Sequence, residues 1–139
     1  MKNIKFRRPH YNRDESFSHF SYWGKISFNN DFSEISFASP TFSSKCTHLE
    51  DEQLSGLKDR KGVDIYEGDI LSDYTETDEG MVKSHCQVFW NEFLGQWQLD
   101  LSSSNDRSYS ESLWKEIKDF KYEISGNIHQ NPGILNQNQ

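Results

Sequence analysis

Long apolar runs are missing from this 139-residue chain: no stretch approaches the roughly 20 apolar residues that a membrane helix needs. No signal peptide is expected, because Met1, Lys2, Asn3 and Ile4 run into Arg7, Arg8 and Pro9 instead of an apolar segment. Cysteine is scarce, with Cys46 and Cys86 the only two. For a cytoplasmic chain, the location these absences favour, both are expected as free thiols. Aliphatic residues are also few, and the hydrophobic class reaches only 33%. Aromatics, at 14%, offset that poverty, since each large ring buries much surface. An aromatic-rich β core with no membrane partner is the expectation.

Catalytic signatures are equally thin. Serines are numerous, but none sits in a Gly-x-Ser-x-Gly elbow or beside a base. Neither common phosphate-cradling glycine loop occurs. The run Asp73, Glu76, Asp78 and Glu79 lacks the spacing and the glycine of a calcium-binding loop. Cys46 with His48, and His85 with Cys86, could supply four zinc ligands if the segments met. Adjacent residues of a strand point to opposite faces, however, so His85 and Cys86 are expected to part company. Glu67 and Asp69 flank Gly68 and project to one side of an extended segment, an arrangement open to acid–base work. Together with Asp59 and Asp64 they also stand where carboxylates bond the backbone at turns and strand entries, and that structural role is preferred. No enzyme activity, cofactor or metal is expected, and no catalytic residue is assigned.

What is present is β patterning. Ile4 and Phe6 alternate with Lys5 and Arg7, and Pro9 is expected to end or edge that strand. From Phe17, the residues Phe17, His19 and Ser21 are set against Phe20, Tyr22 and Trp23. Residues 25–37 read as a hairpin turning at Asn29, Asn30 and Asp31, and a Ser-rich connection follows Pro40. The four residues Asp59, Arg60, Lys61 and Gly62 have the chemistry of a tight reversal, with Gly62 at φ > 0. Ile70–Tyr74 is expected as a strand, residues 75–80 as an acidic loop, and Met81–Trp90 as the next strand. A turn follows at residues 91–95, and Trp97, Leu99 and Leu101 share one face of another strand. After a polar loop at residues 102–107, Leu113, Trp114 and Ile117 fall at helical spacing, with Ser110 as the cap. A closing strand spans Lys121–Ile128, and the polar tail at residues 136–139 is expected to be disordered. The fold class read from this order is mainly β. A partly open SH3-like barrel occupies the C-terminal half, with one short helix and an N-terminal β-hairpin layer. The expected domains are 1–50 for the N-terminal layer and 51–135 for the barrel.

Four blocks of this sequence carry a resemblance. They are Ile4, Lys5, Phe6 and Arg7; residues 56–71; Val88, Phe89 and Trp90 with Gly95–Leu99; and Ile124–Ile128 with Asn131 and Pro132. In this order they resemble the motifs of the YopX family, small proteins encoded largely by phages and prophages. Ser55 stands where that family more often has threonine, and His129 and Gln130 replace a commoner Tyr-Glu pair. Residues 14–45 and 73–80 fall outside the matched blocks. The resemblance implies a phage or prophage accessory protein in a bacterial host cell, and no catalytic residues.

Two partner classes follow from the N-terminal segment. Its first thirteen residues carry Lys2, Lys5, Arg7, Arg8 and Arg13 and no acidic residue, and aromatics follow closely. Basic residues among rings suit single-stranded nucleic acid, yet the chain's net charge of −7 opposes a polyanion. The rings between Phe17 and Phe42 exceed what one hairpin can bury, and surplus exposed aromatics mark interfaces. A protein-binding or self-assembling module is therefore expected, a homo-oligomer or a partner of a host or phage protein. Its candidate contact residues are Phe17, Phe20, Tyr22, Trp23, Arg7 and Arg8. Nucleic-acid binding through the same residues is the alternative.

Overall fold

A computed structural model describes residues 4–25, 46–48 and 51–135, which divide into two units, Met1–Gly56 and Leu57–Gln139. The described residues are mainly β with one short helix. The hairpin expected at residues 25–37 lies, beyond Lys25, outside the described residues, as does the tail at 136–139.

In the first unit, β1 (Ile4–Asn12) pairs antiparallel with β2 (Phe17–Lys25) from Ile4 to Tyr11. Its other edge is shared by two partners. Phe6 and Arg7 face Gln53 and Glu52 of β4 (Glu52–Lys58), whereas His10, Tyr11 and Asn12 face β3 (Cys46–His48). Pro9 does not end β1, contrary to the sequence expectation. It sits fully buried in the interval between those two partners, where no ladder register is made on that edge and a missing donor costs little. The turn after β1 is closed by Asn12 N donating to Ser16 O, with Asp14 Oδ1 accepting from Ser16 N. The Ser16 hydroxyl, and after it the Ser16 N–H, donate to Asp14 Oδ1 and hold that carboxyl below its ordinary range.

In the second unit, β5 (Asp64–Tyr66) follows the reversal after β4. Gly62 has φ +83° and donates to Asp59 O, as the turn chemistry requires. Asp59 organises this turn. Its Oδ1 accepts from Lys61 N and Val63 N, and its Oδ2 accepts from Ile124 N across the unit. A second antiparallel sheet has the order β10-β6-β7-β8-β9, from β6 (Asp69–Thr77), β7 (Gly80–Asn91), β8 (Gln96–Asp100), β9 (Ser110–Ser112) and β10 (Glu123–Asn127). The twelve-residue β7 pairs with β6 through residues 80–87 and with β8 through residues 88–91, which curls the sheet around it.

Residues 75–80 are mostly strand, a correction to the expected acidic loop. Thr77 pairs with Gly80, Thr77 Oγ1 donates to Gly80 O, and Gly80 takes φ +110°. Two residues, Asp78 and Glu79, make the turn. Helix α1 (Leu113–Asp119) is capped by Ser112 and not by Ser110, because Ser110 is engaged with Asp100 in β9. Leu113 and Ile117 face the core, four residues apart. Trp114 is turned to solvent, where Lys118 Nζ lies 4.8 Å from its ring centroid.

The core gathers Ile65, Leu71, Cys86, Val88, Leu99, Leu113 and Tyr122, with Trp97, Leu101 and Ile117 packed against them. The face shared by Trp97, Leu99 and Leu101 is as the alternation implies. Gly68 (φ +84°) donates to Val88 O and accepts from Ile128 N. Asn127 Oδ1 accepts from His129 N and Gln130 N. The Asn131 side chain packs over Gly126 so closely that an added Cβ would lie 2.7 Å from its Cγ.

Candidate interaction surfaces

On the N-terminal hairpin, cross-strand register decides which rings share a face. Arg7 opposes Tyr22 and Pro9 opposes Phe20, so these four side chains lie together. Strict alternation would put Phe17 on the other face. A register shift between His10 and Tyr11 leaves Ser18 as the extra residue and brings Phe17 opposite Tyr11. The result is a continuous stripe of rings. Tyr11 meets Phe17 edge-on at 5.8 Å, Phe17 lies 4.9 Å from Phe20, and Phe20 lies 6.3 Å from Tyr22. The Arg7 guanidinium stacks 4.3 Å over Phe20, and Lys5 Nζ sits 5.4 Å over Tyr22. Tyr22 is the most open member, 52% exposed. Burial, with Glu52 nearby, raises the Tyr11 phenol above its ordinary value.

The fourth expected ring, Trp23, belongs to the opposite face, stacked on Phe6 at 4.6 Å. Arg8 is also on that face, with His10 stacked on His19 at 4.6 Å and bonded to Ser21 Oγ at 2.7 Å. The structure thus gathers Phe17, Phe20, Tyr22 and Arg7, and sets Trp23 and Arg8 apart from them.

Both arginines are engaged by carboxylates. Arg7 is only 5% exposed and donates from Nε to Glu52 Oε1 at 2.9 Å. Arg8 forms a two-bond fork with Asp51, at 2.6 and 3.1 Å, and this pairing raises its pKa further. Asp51 and Glu52 were not singled out in the sequence. Two adjacent acids opening a strand, matched to two adjacent arginines, were the available signal.

Of the carboxylates weighed, Asp69 Oδ2 accepts from Tyr66 N at 2.8 Å and Asp59 bonds the backbone in its own turn, whereas Asp64 accepts from Lys58 Nζ at 2.6 Å. His85 and Cys86 do part company. His85 bonds Ser72 Oγ at 2.8 Å, and burial lowers its pKa, with Lys83 adding to the effect. Cys86 is a buried free thiol whose pKa is pushed up to about 12 by burial first and by Asp100 and Glu116 next. The side chains of Cys46 and His48 lie outside the described residues. Among the described residues, no three His, Cys, Asp or Glu side chains cluster as a metal site.

A second feature lies wholly within the C-terminal unit. A cleft of about 610 Å³ opens beside β6, β7 and α1, lined by Asp73, Ser84, Cys86, Glu116, Phe120 and Tyr122 among others. Glu116 occupies the inward face of α1, where Leu113 and Ile117 lead one to expect an apolar residue, and is 6% exposed. The Tyr122 hydroxyl donates to its Oε1 at a long 3.4 Å. Burial holds the Glu116 carboxyl above its usual range against that bond, and burial likewise raises the Tyr122 phenol.

Similarity to known proteins agrees with the fold. A crystal structure of protein EF1440 from Enterococcus faecalis superposes with a TM-score of 0.53 at 20% identity, covering 95% of this chain and 97% of that one. No curated protein matches the chain. The YopX protein family matches over residues 8–136, nearly the whole length. The chain belongs to the YopX family.

Proposed function

We propose that this YopX-family accessory protein is a non-enzymatic module that associates with further copies of itself through the ring stripe Tyr11, Phe17, Phe20 and Tyr22. The reading carries with it a phage or prophage origin, a bacterial cytoplasm as the working place, and a curled C-terminal sheet of SH3-like, partly open barrel type. The continuous stripe is the observation that supports it. Large rings held by cross-strand stacking present contact area already ordered, so association costs little side-chain entropy. A second copy suits the stripe because Lys5, over the Tyr22 ring, would meet a chain whose net charge is −7. Phosphate binding is disfavoured by the commitment of Arg7 and Arg8 to Glu52 and Asp51, which leaves little positive field for a polyanion.

Light scattering on the purified chain tests the reading. A native mass above one chain is expected, and Tyr22→Ser with Phe17→Ser should return the mass toward one chain. A monomeric native protein that binds single-stranded DNA or RNA tightly at physiological salt would overturn it in favour of nucleic acid.

A further inference from the structure

The cleft in the C-terminal unit goes beyond self-association, since it is built from other residues and offers different chemistry. Three acidic residues line it, Asp73 and the exposed Glu76 from β6 and Glu116 from α1, of which Asp73 and Glu116 are the two less exposed. Asp73 Oδ1 accepts from the next backbone N–H, of Tyr74, at 2.8 Å. The Glu116 carboxylate accepts the long bond from the Tyr122 hydroxyl. Among the described residues neither acid forms an ion pair. Lys83, which also lines the cleft, holds its Nζ 5.7 Å from the Tyr74 ring centroid. His85 favours its neutral form, since burial lowers its pKa. A carboxylate that is 94% buried without a counter-charge is costly, and an arriving cation relieves that cost. One wall is apolar: Phe120 is half exposed and meets Tyr122 edge-on at 6.3 Å. Ser84, Ser102 and Ser103 also line the cleft, with Val82 and Leu101.

We propose that this cleft binds a cationic side chain, arginine for preference, presented by a partner polypeptide. The charge complement selects a cation. The pairing of two carboxylates with an aromatic wall selects a guanidinium, whose planar fork meets carboxylates and whose face stacks on a ring. At about 610 Å³ the cleft exceeds one side chain and has room for the flanking backbone.

The test is a titration of the full chain with the blocked peptide acetyl-Ala-Arg-Ala-amide, followed residue by residue in amide NMR spectra. Shifts are expected at Asp73, Ser84, Glu116 and Phe120. The same peptide with citrulline in place of arginine, isosteric but uncharged, should bind at least tenfold more weakly. Glu116→Gln keeps the side-chain shape and an acceptor for Tyr122, and should also weaken the arginine peptide at least tenfold. Asp73→Asn carries the same expectation and stands in if the first variant misfolds. Equal binding of the citrulline peptide, undiminished binding to both variants, or no shifts at the cleft would overturn the proposal. Association through the hairpin stripe is read separately, by mass.

Discussion

The two units hold charge in opposite ways. In the first, the buried cation Arg7 meets a carboxylate, Glu52, and the more exposed Arg8 meets Asp51. In the second, aliphatic side chains fill the core and most buried carboxylates serve backbone N–H groups. Asp59, Asp69 and Asp100 do so within a few residues of themselves. Glu116 does neither. The contrast separates polar groups that specify the fold from one whose burial the fold does not explain. A side chain that serves its own turn needs no external partner, whereas an uncompensated one invites a ligand.

The largest effect is expected where a buried charge is stranded. Glu52→Ala leaves Arg7 without its main carboxylate and should cost about 3–5 kcal/mol, read by denaturant unfolding and by faster hydrogen exchange in β1 and β2. Changing both partners to apolar residues of similar volume should recover much of that loss. If Glu52→Ala costs nothing, the pair does not hold the first unit as described.

Next comes the Asp59 turn. Asp59→Ala removes acceptors for Lys61, Val63 and Ile124 N–H groups, and a loss of about 2–3 kcal/mol is expected. Asp59→Asn should cost less, since its one carbonyl oxygen can keep part of the set. The smallest effect belongs to Gly62→Val. An added Cβ meets nothing within 4 Å, so only the strain of φ +83° acts, and about 1–2 kcal/mol is expected. An unchanged melting temperature would remove the backbone argument.

Much of the second unit was legible in the sequence because its rules are local. The reversal at Asp59–Gly62, the strand from Met81 to Trp90 and the shared face of Trp97, Leu99 and Leu101 follow from turn chemistry and alternation. Local rules failed where pairing decides. Ser110 looked like a helix cap until β8 claimed it, and the acids at residues 76–79 looked like a loop until β7 extended β6 to Thr77. Pro9 survives within β1 because two different strands share that edge. The candidate surface was half legible. Phe20 and Tyr22 alternate onto one face with Arg7, and Trp23 onto the other with Phe6, but no periodicity announces the bulge at Ser18 that adds Phe17. The cleft was invisible for a similar reason. Asp73 and Glu116 are 43 positions apart, and only the sheet that runs from β6 through β7 to β8 and β9, on which α1 packs, brings them to one lining.

The central proposal is that the Asp59 turn maintains the fold while the hairpin stripe makes the contact. Measuring mass and melting temperature together on two variants, Asp59→Ala and Tyr22→Ser with Phe17→Ser, tests it most directly. The account predicts that the first lowers the melting temperature and keeps the native mass under conditions where it is folded. The second should lower the mass while the folded chain retains the fast-to-slow exchange pattern of its C-terminal sheet. A native protein already monomeric, or a stripe variant with undiminished mass, would contradict it.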